Sequence, residues 1–259
     1  MCQFFSFVGD GYGNYLYADW NLRKTKLRAN WDSHTAILTH FKVPPKMQDR
    51  WSKYEYNPLT KEFTVDQGVE GHDHEAAENW VQRLNFKTVV EPLVIKKIRN
   101  PLTGRAKKVT EKEIALLDEW TKVCASVRGS VRDSVWYSVY NSVGDSVEAS
   151  VWGSVGDSVG DSVSTSVEAS VMDSFWVSVW NSDSTSDWDS VWASVWASVW
   201  ASVYDSVREY MSSFFKIQYE HDFSSVIKLW NSGFVPSFDG KTWRLLSGKN
   251  AEVVYEKEV

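Results

Sequence analysis

Cys2 carries the sharpest chemical possibility in this sequence. If methionine aminopeptidase removes Met1, the thiol of Cys2 stands beside a free α-amine that can act as its base, the arrangement of an N-terminal nucleophile. The competing reading is a small apolar residue opening a buried strand, because Phe4, Phe5 and Phe7 surround it. The segment His72-Asp73-His74-Glu75 offers imidazoles at a spacing that can hold a metal. No third cluster with metal-ligand spacing follows, and His34 and His40 do not extend the set, so a polar loop before a helix is expected there. Neither a metal nor a cofactor is expected. The glycines of "GDGYGN" (9–14) are not followed by Lys-Ser/Thr, and read as a hairpin turn rather than a phosphate cradle.

The remaining candidates are surfaces. Lys96, Lys97, Arg99, Arg105, Lys107 and Lys108 could meet phosphates, which makes nucleic acid possible at Lys96–Lys108, although a solvated linker explains the run as well. Trp176, Trp180, Trp188, Trp192, Trp196 and Trp200 could stack on a partner. Asp145, Asp157, Asp161, Asp173, Asp189 and Asp205 lie in the same stretch and could stand in for DNA phosphates. Charge separates these surfaces. Residues 1–109 carry 17 Lys+Arg against 12 Asp+Glu, whereas residues 126–209 carry 3 against 12. The acidic segment argues against nucleic acid at the tryptophans themselves.

These tryptophans must be positioned by a repeat. Every fourth residue from Ser126 to Ser206 is serine, 21 in succession, and valine follows in 18 of them. The third position varies from Gly144 to Trp196, and the fourth is mostly small or polar. In an α-helix, four residues advance about 400°, so a valine stripe drifts about 40° per repeat and circles an unbroken helix in about nine repeats. A β-solenoid, with one tetrapeptide per side and the valines stacked on its axis, avoids that drift and is the expected architecture of 126–209. Broken α-helices are the alternative, interrupted near Gly144, Gly153, Gly156, Gly160 or "NSDSTSD" (181–187).

The flanks read as α+β. Strands are expected at 2–8 and 15–20, and a helix capped by Asp32 or Ser33 ends before Pro44-Pro45. A hairpin turns at Asn57-Pro58, Asp73 caps a helix, and "KTVVEPLVIKKI" reads as an edge strand. Thr110 and Glu113 form a capping box, Gly233 ends a helix, and two strands close the chain. The expected division is an α+β domain over 1–109, a helix over 110–125, the repeat over 126–209, and an α+β segment over 210–259 that packs with the first.

"EYNPLTKEFTVDQ" (55–67), "VPSFDGKTWRLL" (235–246) and the Ser-Val run with "YMSSFF" (210–215) together resemble an uncharacterised family of bacteriophage and bacterial proteins that vary in repeat number. The resemblance covers nearly the whole chain. It implies phage origin and a bacterial host cytoplasm, and no activity. Two cysteines form no disulfide framework, and there is no run of about 18 apolar residues, so no membrane association is expected. The reading that unites these features is a non-enzymatic repeat protein presenting an acidic, aromatic surface to a protein partner. The alternatives are a DNA mimic that occupies a DNA-binding enzyme, and an enzyme using Cys2.

Overall fold

The computed structural model describes residues 5–26, 30–127, 131–180 and 188–259. The chain forms two compact units, each assembled from three segments: Met1–Lys97 with Tyr137–Ser154 and Phe214–Ile217, and Ile98–Trp136 with Val155–Ser213 and Gln218–Val259.

In the first unit, strands β1 (Phe5–Gly9) and β2 (Tyr15–Leu16) flank the Gly-rich turn. A four-residue helix α1 (Trp20–Arg23) and helix α2 (His34–His40) follow, the latter capped by the Ser33 hydroxyl. Strands β3 (Ser52–Asn57) and β4 (Glu62–Gln67) complete an antiparallel sheet of order β2-β1-β3-β4. Helix α3 (His74–Gln82) is capped by Asp73, whose carboxylate accepts from the Ala76 N–H at 2.9 Å. Aromatic side chains fill this unit. Phe7 stacks on Tyr54 at 5.0 Å, and Trp80 stacks on Tyr15 at 4.4 Å. The Arg23 guanidinium and Asp32 carboxylate are buried together at 2.6 Å, and Arg23 Nε also donates to the Ala18 carbonyl.

The edge strand expected over "KTVVEPLVIKKI" is reduced to a single bridge between Leu93 and Phe215. Val94 donates to the Phe214 carbonyl, and Lys216 donates to the Pro92 carbonyl. Pro92 has no N–H to extend the ladder.

In the second unit, helix α4 (Glu111–Ser126) opens on the Thr110–Glu113 capping box. The repeat then corrects the sequence reading. No β-solenoid is found among the described residues: the repeat, whose residues 137–154 belong to the first unit, is helical in α5 (Val131–Val143), α6 (Asp145–Val155), α7 (Asp161–Trp180) and α8 (Trp188–Ser212). The drift argument assumed an unbroken helix. Gly144, at φ +90°, ends α5, and a π-helical turn over Gly156–Gly160 joins α6 to α7. A π turn is wound more loosely than an α turn, so each residue advances by a smaller angle and the accumulated drift is partly reversed. Within α7, Val163, Val167 and Val171 drift by about 80° in all, inside the width of an apolar stripe, and all three are buried.

Serine suits this packing because it satisfies itself. Ser142, Ser154 and Ser166 donate to the carbonyls of Ser138, Ser150 and Ser162 at 2.7–2.8 Å. Ser206 does the same to Val203 and is fully buried. A hydroxyl turned back on its own helix presents a small surface and needs no outside partner. Where one is offered, it is used: in the first unit Ser154 accepts from Asn57 Nδ2 at 2.6 Å, while Asn57 Oδ1 caps the β3–β4 turn through Leu59. Ser154→Ala leaves that buried amide without its acceptor. We expect a loss of about 1–3 kcal/mol in denaturant unfolding, against much less for Ser166→Ala, whose hydroxyl bonds back to its own helix.

Helix α9 (Ser224–Ser232) ends at Gly233, φ +92°. Strands β5 (Phe234–Phe238), β6 (Thr242–Ser247) and β7 (Glu252–Glu258) form an antiparallel sheet in that order. Helix α8 packs on β5, where the Ser202 hydroxyl accepts from the Phe238 N–H at 2.9 Å.

Candidate functional site

Helix α8 turns Val199, Val203 and Val207 inward, where they are fully buried, while Val195 is half-buried. The residue after each valine lies about 100° around the helix, at the edge of the apolar stripe. Trp196, Trp200 and Tyr204 occupy that edge as a ladder. Trp196 and Trp200 stack with centroids 6.3 Å apart, and Trp200 and Tyr204 lie 4.2 Å apart. Trp196 is 42 % exposed, and Trp200 and Tyr204 are half-buried.

The ladder ends on acidic groups. The Tyr204 hydroxyl lies 3.3 Å from an Asp161 carboxylate oxygen, to which it donates. Asp157 and Asp161 are both exposed, at the π turn and the start of α7. Burial, followed by the charge of Asp161, raises the Tyr204 pKa. Burial also raises that of the nearby Glu168. The arrangement is a row of rings leading to carboxylates, suited to a cation on a protein surface: rings for its face, carboxylates for its charge.

Of the residues expected to form the surface, Trp196, Trp200 and Asp161 come together with Tyr204, and Asp157 is exposed close by in sequence. Trp176 and Trp180 lie on α7 and Trp188 and Trp192 on α8, but their side chains, with those of Asp145, Asp173 and Asp189, lie outside the described residues, as does Cys2. Asp205 does not join the site. It is half-buried and acts on Cys124 and Glu209. Tyr204 was missed as a site residue although it holds the same repeat position as the tryptophans.

The other candidates resolve into structural roles. His72 and His74 bind β3 through their Nδ1 atoms: Ser52 Oγ lies 2.8 Å from His72, and Tyr54 Oη 3.0 Å from His74. Among the described residues no three His, Cys, Asp or Glu gather as a metal set. The basic run is partly tied down. Lys96 sits 4.4 Å from the centre of the Phe214 ring, and Lys107 donates to the Ser232 carbonyl at the end of α9. Arg99 exchanges backbone bonds with the Tyr210 hydroxyl and the Trp230 indole.

A second group had no signal in the sequence. Glu209 on α8 is fully buried, and neither carboxylate oxygen has a hydrogen-bond partner among the described residues. Burial, then the charge of Asp205, raises its pKa well above the usual carboxyl range. Burial also pushes up the Cys124 thiol and the Tyr219 hydroxyl, with Glu209 adding to both. A thiol so held is protonated and a poor nucleophile.

No family model, curated protein or solved structure matches the chain. No helix among the described residues is long and apolar enough to cross a membrane.

Proposed function

We propose that this chain is a binding protein that presents the ladder Trp196–Trp200–Tyr204, with Asp157 and Asp161, to a protein partner bearing arginine or lysine. The observation that carries this reading is the junction of Tyr204 with Asp161 at 3.3 Å, which joins a partly exposed aromatic row to an exposed carboxylate 43 residues away in sequence. The 3-to-12 charge balance of residues 126–209 supplies the complementarity. Serine and valine serve as scaffold, and the variable third position carries recognition. A bacterial host cytoplasm is the setting this reading adopts from the phage-type resemblance. The half-buried Asp205 weakens the DNA-mimic alternative, because a phosphate stand-in must face solvent.

An arginine-rich peptide titrated into the full chain tests this. Saturable binding is expected, with Trp196→Ala weakening it about tenfold at unchanged helicity, and with Asp157→Asn/Asp161→Asn weakening it and flattening its salt dependence. Binding indifferent to Trp196→Ala sinks the proposal. If the aspartate variant alone then abolishes binding, the acidic DNA-mimic reading takes its place.

A further inference from the structure

The first unit contains an open groove of about 540 Å³ lined by Tyr15, Tyr17, Asp19, Asn21, His40 and Phe41, with Leu16, Leu22 and Thr25 completing its wall. That volume is within the range of small-ligand sites. Its aromatic walls are held in place from behind. Trp80 stacks on Tyr15 at 4.4 Å and meets Tyr17 edge-on at 5.6 Å. Phe5 meets Tyr17 from another side at 5.5 Å. Also in the lining, Phe41 packs edge-on against His40, which in turn meets Trp31 edge-on.

Asp19 is the charged carboxylate of this lining. One of its oxygens accepts from the Leu22 N–H at 2.9 Å and caps α1. The other has no hydrogen-bond partner among the described residues. The Asp19 charge reaches Tyr17, where it adds to burial in raising the hydroxyl's pKa. The exposed Lys24, Lys26 and Lys42 neighbour the lining residues in sequence but do not line the groove. The lining therefore combines the aromatic side chains of Tyr15, Tyr17, His40 and Phe41 with one carboxylate that has a spare acceptor.

We propose that this groove binds an organic cation, a substituted ammonium or guanidinium group, lodged against Tyr15, Tyr17 and Phe41 and paired with Asp19. Rings of this kind attract a cation through their negative faces, and the attraction is strongest where water is displaced. A neutral ligand of the same shape gains only the apolar contact. The site lies wholly within the first unit and does not depend on the α8 surface.

The same cation can arrive free or as a side chain, so two probes are used on the full chain: choline, and an acetylated, amidated Gly-Arg-Gly peptide. Binding is followed by NMR of the Tyr15 and Tyr17 rings and by calorimetry. At least one probe is expected to saturate these signals, and the tighter one identifies the source. 3,3-Dimethylbutanol, the uncharged counterpart of choline, should bind at least tenfold more weakly than choline. Asp19→Asn keeps the helix cap, since asparagine caps as well as aspartate, and should retain the melting temperature while losing at least tenfold in affinity. The proposal is overturned if neither cation shifts these rings, if the uncharged analogue binds equally, or if Asp19→Asn binds as the parent does.

Discussion

Glu209→Gln should abolish a pH dependence of stability that the parent protein shows on the alkaline side of the usual carboxyl range. In the unfolded chain this carboxyl ionises near its ordinary value of 4.5. In the fold, burial without a hydrogen-bond partner holds it neutral well above that. The unfolded state therefore releases a proton that the folded state keeps. Stability from this group is full below the ordinary carboxyl value and falls as pH rises toward the raised folded value, at about 1.4 kcal/mol per pH unit. Denaturant midpoints measured at intervals upward from pH 4.5 should show the parent losing stability relative to the glutamine variant as pH rises. Parallel curves would mean that Glu209 is ionised and paired in the fold, contrary to the structure.

The second large effect concerns Arg23 and Asp32. Both side chains are almost wholly buried, and the guanidinium spends its Nε–H on the Ala18 carbonyl. Removing one partner strands a charge in the first unit. Arg23→Ala should cost about 3–5 kcal/mol, whereas Arg23→Met with Asp32→Leu, which removes both charges and keeps the volume, should cost far less. The comparison is read as a double-mutant cycle in urea. If Arg23→Ala unfolds at the parent midpoint, the pair contributes nothing and the site is open to water.

How much of this was legible in the sequence depended on whether a residue acts locally. Ser33, Asp73 and the Thr110–Glu113 box are caps, whose partners lie three residues away, and Gly233 marks a left-handed turn that glycine favours. The repeat was misread because its period was measured against an endless helix. Interruptions at Gly144 and at 156–160 divide it into pieces short enough for a drifting valine stripe to stay buried. The strand expected near Pro92 failed because its partner was only the short stretch Phe214–Lys216. Glu209, Cys124 and Tyr219 come from separate parts of the chain and share no spacing, so only the fold brings their fields together. The Tyr204–Asp161 contact spans two helices and was equally invisible, although the identity of Tyr204 with the tryptophan position could have included it.

The four-residue unit has a geometric consequence for any change in the number of repeats. Inserting one Ser-Val-x-x unit into an α-helix lengthens it by about 6 Å and turns everything beyond it by about 40°. Copy number then acts as a combined ruler and protractor. A single duplication displaces and swivels the residues beyond it by one fixed increment without altering any of them, and about nine are needed to bring them back to the same bearing. Replication slippage, ordinarily a source of damage, would in such a chain be a way of sampling orientations in discrete clicks.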